Sequence, residues 1–167
     1  MDFDDHVTAD RLGRISSLLA GLPGPFGNGQ MLVWVEHGDR GSMPQAVFDH
    51  LQQAGLLERC YPQIPVNVPE TAAELMTRLE RIDNQVAAAR FTGVTTRTLA
   101  YHTRGRYDEA KAREVFEALR RLLGFETTWW TNTDLTGWNP VTRHTIDAIV
   151  IGVGAAAIVA LLAYDED

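Results

Sequence analysis

Ala148-Ile149-Val150-Ile151-Gly152-Val153-Gly154-Ala155-Ala156-Ala157-Ile158-Val159-Ala160-Leu161-Leu162-Ala163-Tyr164 runs for seventeen residues without a charge. A membrane-spanning helix needs about 20 apolar residues, with about 17 as the lower limit. As a span, this stretch makes the chain a tail-anchored membrane accessory protein, with Arg143 on one flank and Asp165-Glu166-Asp167 on the other. Three features favour a hairpin of two buried strands instead. Ile149-Val150-Ile151 is β-branched, which suits a strand. Gly152 and Gly154 sit at the centre, where a turn needs them. The far end carries only acid and lacks the Trp or basic anchors of a membrane interface. An unbroken apolar run between turn residues is also how a strand covered on both faces reads.

Around that hairpin the composition is ordinary for a globular chain. With 167 residues, 45% of them hydrophobic and 22% charged, one domain over 1–167 with a real core is expected. The formal charge of -7 argues against nucleic acid as a partner, because that affinity rests on clustered cations. Lys111 is the lone lysine among fifteen basic residues, a bias that fits a high-GC bacterial genome. Cys60 is the only cysteine, which excludes an intrachain disulfide, and a structural thiol is its expected role. The acidic start, Met1 to Asp5, has no signal-peptide pattern, so a cytoplasmic protein is expected.

Leu12, Ile15, Leu19 and Leu22 recur at helical spacing, with Thr8 as a candidate cap. Pro23 to Gly29 reads as a loop without regular structure. Met31 to Val35 is a strand opening into the polar turn His37 to Gly41. Ser42 and Gln45 have the form of a capping box for a helix reaching about Ala54. Residues 61–69 hold three prolines and read as irregular extended chain. Thr71 and Glu74 form a second capping box, and Leu75, Leu79, Ile82, Val86 and Ala89 give one helical stripe. Thr95 to Tyr101 reads as a strand, Asp108 to Gly124 as a capped helix, and Glu126 to Thr131 as a strand. The sum is an α/β class, with α+β as the alternative. It comprises a mixed sheet of about five strands ending in the C-terminal antiparallel hairpin, packed with four helices.

If the first strands run parallel, their carboxyl ends share one sheet edge, where open α/β sheets bind ligands. His37, Asp39 and Arg40, then His102, Arg104 and Arg106, then Asn132 and Asp134, follow those ends. Guanidiniums beside a helix N-terminus suit a small anion such as a carboxylate or phosphate. The five histidines show no metal-ligand spacing, and a site built from His37, His102 and His144 is the remote alternative. No phosphate-loop or dinucleotide motif is present, Ser42 reads as a cap rather than a nucleophile, and no cofactor or metal is expected.

Asp147 lies on a strand within a helix-then-three-strand order that resembles the beginning of the restriction-endonuclease core. That family carries a Glu-x-Lys element on the next strand. Here the next strand is Ile158-Val159-Ala160-Leu161-Leu162-Ala163, without the carboxylate or the lysine, so nuclease activity is not implied. Trp129-Trp130 and Trp138 gather aromatic surface near Arg143. Neighbouring strand residues face opposite sides, so one of the pair can be exposed. Trp130, Trp138 and Arg143 are therefore candidate partner contacts. Two functions of different class follow. One is a non-catalytic protein-binding component of a bacterial system, of the immunity, adaptor or scaffold kind, using a Trp-rich acidic surface and contacting another protein or a second copy of itself. The other is an enzyme or sensor for a small anion at His37, Arg40, His102 and Arg104.

Overall fold

The computed structural model describes residues 3–27, 29–58, 67–99, 102–132, 139–144 and 146–165. Helices α1 (Phe3–Leu18), α2 (Met43–Gln53), α3 (Ala72–Thr77), α4 (Asn84–Thr96) and α5 (Glu109–Leu123) flank one sheet. Its strands are β1 (Gly24–Phe26), β2 (Gly29–His37), β3 (Glu80–Ile82), β4 (Thr128–Thr131), β5 (Ile146–Val153) and β6 (Ala157–Asp165). They lie in the order β1-β2-β6-β5-β4-β3, and every pairing between them is antiparallel.

The uncharged stretch is the centre of this sheet. β5 and β6 form a hairpin in which Val153 pairs with Ile158 and Ile146 with Asp165. Strand side chains alternate between faces. Ala148, Val150, Val159, Leu161 and Ala163 enter a core with Ile15 of α1, Leu19 just beyond its end, Phe91 of α4 and Phe116 of α5. Ile149, Ile151, Val153, Ile158, Ala160 and Leu162 enter a second core with Val47 and Leu51 of α2 and Leu75 of α3. Because helices cover both faces, every strand position from Asp147 to Val153 and from Ala157 to Ala163 is buried, and the sequence there has no reason to alternate. Among the described residues no helix is long and apolar enough to cross a membrane.

Two glycines set the hairpin against its neighbours. A Cβ on Gly152 would stand 2.5 Å from Cζ3 of Trp129, so the bare backbone makes room for the indole. Trp129 in turn donates from Nε1 to Asn84 Oδ1 at 2.8 Å, tying β4 to the start of α4. A Cβ on Gly154 would meet the Leu123 carbonyl oxygen at 2.2 Å, so the turn docks directly on the end of α5. Ala155 N–H reaches the same carbonyl at 3.3 Å, and Arg11 Nη1 of α1 donates to Ala155 O at 3.1 Å.

The α/β class, the C-terminal hairpin, α2, α5 and β4 match expectation. The sheet is larger than expected, with six strands and five helices among the described residues, and it is antiparallel rather than mixed. Pro23 to Gly29 is not structureless: it supplies β1 and the start of β2. The stripe from Leu75 to Ala89 is two helices. Thr71 Oγ1 accepts from Glu74 N–H at 3.1 Å to start α3, as the capping box predicts. The chain then leaves helix at Arg78, pairs β3 with β4, and restarts at Asp83, whose Oδ1 accepts from Val86 N–H at 2.8 Å. The expected strand from Thr95 to Tyr101 begins instead as the last turn of α4, which ends at Thr96; Thr98 N–H bonds Thr103 O at 2.9 Å, and Ala100 and Tyr101 lie outside the described residues. Thr8 lies inside α1 and caps nothing. Cys60, Trp138, Asp134 and residues 61–66 lie outside the described residues.

Candidate functional site

The structure divides the expected anion site between opposite ends of the sheet. His37 pairs with Ala157 beside the β5–β6 turn, and Asp39 and Arg40 line a surface hollow with Glu126 and Gly154 to Ala156. Arg106 instead lies at the Gly29–Asp165 end, in a hollow with Gly24, Phe26, Arg97 and Thr98. Arg104 bridges to Arg97 on the same loop, and His102 precedes it with a φ of 51°. The length of β2 separates the two groups, roughly 27 Å at about 3.4 Å per residue. The expectation failed because it took the strands as parallel and the Thr95 segment as one of them.

Each group also has a structural occupation. Asp39 Oδ1 accepts from Ser42 N–H at 2.9 Å while Ser42 Oγ accepts from Asp39 N–H at 3.0 Å, a reciprocal cap at the start of α2. The capping box thus begins at Asp39, not at Ser42, and Gln45 bonds Asp49 instead. The bond from Ser42 N–H holds the Asp39 carboxyl below the usual aspartate range. Arg106 Nη2 donates to Pro25 O at 2.8 Å, and its guanidinium lies 5.3 Å from the Phe26 ring centroid. No group of His, Cys, Asp and Glu able to hold a metal occurs among the described residues, and His37, His102 and His144 form none.

The Trp surface also changes. Trp129 and Trp130 do face opposite sides of the sheet, but each enters a core, 1% and 9% exposed. Trp130 therefore offers no ring to a partner. Arg143 is half-buried and its N–H bonds Leu56 O at 2.9 Å. Asp147 is buried and accepts from Asn132 Nδ2 at 2.7 Å, Val141 N–H at 3.1 Å, and both Thr142 N–H at 2.8 Å and Thr142 Oγ1 at 2.7 Å. It anchors the chain entering β5, as a loop-bonding carboxylate does.

The feature that the sequence did not announce is the outer edge of β2. β1 covers only Gly29 to Met31, leaving Leu32 to His37 with β6 on one side and, among the described residues, no strand on the other. Gly38 N–H bonds Ala156 O at 3.2 Å, continuing the β2–β6 ladder. Main-chain groups alternate sides along a strand, so Leu32, Trp34 and Glu36 bond β6, while Val33, Val35 and His37 point their N–H and C=O outward. The flanks of this edge are half-buried. Leu32 and Trp34 lean on the α2 core, Val33 and Val35 on the α1 core. Trp34 stacks on His50 of α2 with ring centroids 5.2 Å apart, and His50 Nε2 lies 2.8 Å from Glu36 Oε1. No family model, curated protein or solved structure matches the chain.

The other edges are closed. β1 turns Pro25 outward, which has no N–H to offer, and Arg106 occupies its carbonyl. β3 is three residues long and carries Glu80 and Arg81. The part of β5 beyond β4 is covered by side chains: Asn132 Oδ1 accepts from Ile149 N–H at 2.9 Å, beside the Asp147 cluster. Among the described residues, only the β2 edge is both open and free of such protection. Its single carboxylate, Glu36, is drawn back onto His50.

Proposed function

We propose that this chain is a non-catalytic protein-binding component, of the adaptor, scaffold or immunity kind, that engages its partner by strand addition along the outer edge of β2. The observation that carries this reading is the outward row of main-chain groups at Val33, Val35 and His37, unpaired among the described residues. An edge of this kind takes an extended backbone, and its half-buried flanks supply the side-chain contacts that set specificity. Folded proteins otherwise blunt such edges with proline, charge or a covering loop, as this chain does at its other edges. The His37-Asp39-Arg40 and His102-Arg104-Arg106 groups do not converge, so an anion site built from both is not part of the proposal.

Val35→Pro removes the central outward N–H while leaving the β6 side of the ladder untouched. Affinity capture from cells of the source organism is expected to lose its specific partner with Val35→Pro and to keep it with Arg40→Ala. Retention of every partner by a Val35→Pro chain with wild-type circular dichroism would overturn the reading.

A further inference from the structure

Resting on that reading, we infer that the strand added to β2 is β2 of a second copy of this chain. The two run antiparallel about a two-fold axis at Val35. The open stretch from Val33 to His37 has the symmetry this needs. Antiparallel pairing centred on Val35 sets Val33 opposite His37 of the partner, Val35 opposite itself, and His37 opposite Val33. All three are outward positions, so each N–H and C=O finds a mate, giving about six main-chain hydrogen bonds.

The neighbouring residues select this register over its alternatives. It sets Trp34 across from Glu36 of the other copy, so no like charges face each other. Centring on Glu36 would oppose two carboxylates, and centring on Trp34 would set His37 opposite Met31, which already pairs with Gly24 of β1, leaving two mated outward pairs instead of three. The ends fit as well. The chain leaves the strand at Gly38, where a Cβ would stand 2.5 Å from Ile158 Cδ1, and turns into α2. The partner strand therefore stops short of Met31, where β1 begins. The product is one continuous sheet of twelve strands among the described residues, six from each copy, with α1 beside α1 and α2 beside α2. A closed two-fold interface consumes both open edges and leaves none for further growth.

The test uses the full chain. Sedimentation analysis across about 1–100 μM is expected to show a monomer–dimer equilibrium, with Val35→Pro shifting dissociation at least tenfold towards monomer. In a Cys60→Ser background, Val35→Cys should oxidise to a disulfide-linked dimer, since opposed Cα atoms at about 5.5 Å suit the bond. Val33→Cys, opposite His37 rather than itself, should not. Because Val35→Pro could lose its fold, amide exchange of the unmodified chain supplies a second measure. Val33, Val35 and His37 should gain protection with concentration, while Leu32, Trp34 and Glu36 are protected throughout. A chain that stays monomeric at 100 μM overturns the dimer. So does a dimer with no Val35→Cys crosslink and no alternating protection, because its interface lies elsewhere. If the chain is monomeric yet Val35→Pro still loses a different captured protein, the second-copy inference fails and the strand-addition reading stands. If that capture also survives, both fail.

Discussion

Asp147 shows how one carboxylate can organise a segment without chemistry. Its four donors come from Asn132, Val141 and Thr142, and the same Asn132 also bonds Asn139 O at 2.8 Å and accepts from Ile149 N–H. Removing the carboxylate orphans buried donors, which costs far more than the net value of the bonds themselves. Asp147→Ala is expected to lower stability by about 3 kcal/mol in urea titration. Burial pushes the Asp147 carboxyl above the usual aspartate range, and the bonds from Thr142, Val141 and Asn132 pull the other way without cancelling it. The folded state therefore holds this proton to higher pH than the unfolded state does. Its contribution is greatest below the ordinary aspartate range and declines as pH rises through the raised value. Urea titrations from pH 4 upward should show that decline in the wild-type chain and not in Asp147→Ala. A wild-type chain that gained stability relative to the variant over the same window would contradict the assignment.

Among the elements, β1 has the most specific support. Its three residues are held by Met31 to Gly29 on one side and by the Arg106 guanidinium on the other. Arg106→Ala should loosen β1 at a cost of about 1–2 kcal/mol, from a charge-assisted bond and the Phe26 ring contact. Amide exchange at Phe26 and Gly24 should speed up while β5 and β6 stay protected; unchanged exchange there would show that Arg106 does not secure the edge. The elements differ in how plainly the sequence announces them, for physical reasons. The hairpin was legible because two-sided burial removes every charge between Asp147 and Asp165. α5 was legible because Asp108 caps it, Oδ1 accepting from Lys111 N–H at 2.8 Å, and Gly124 ends it at a φ of 99°. The split between α3 and α4 was hidden because Leu75, Leu79 and Ile82 keep helical spacing across a three-residue strand. Asp83 was the available signal, a capping residue in the middle of an apparent helix. The candidate site was not legible. It consists of main-chain groups, and which of them stay unpaired depends on where β1 stops.

For the whole molecule, the decisive fact is that two cores share one sheet. The sheet face with α1, α4 and α5 holds Trp129, and the face with α2 and α3 holds Trp130, so adjacent residues report on separate cores. β6 joins the two halves of the sheet by lying between β2 and β5. His37 and Ala157 are paired although about 120 positions separate them in the chain. Contacts of such long range slow folding, because the loop between them must close before they contribute. Refolding from urea, followed by Trp fluorescence, is expected in the millisecond-to-second range. Its yield should fall as protein concentration rises; microsecond refolding with a concentration-independent yield would contradict the topology's role. During synthesis β2 leaves the ribosome long before β6 does, so one flank of it waits unpaired while the intervening chain is made. When the uncharged stretch from 148 to 164 does emerge, it has high β-propensity and no charged gatekeeper between Asp147 and Asp165. The segment that builds the sheet's centre is thus also the one that a holding chaperone would be expected to recognise first.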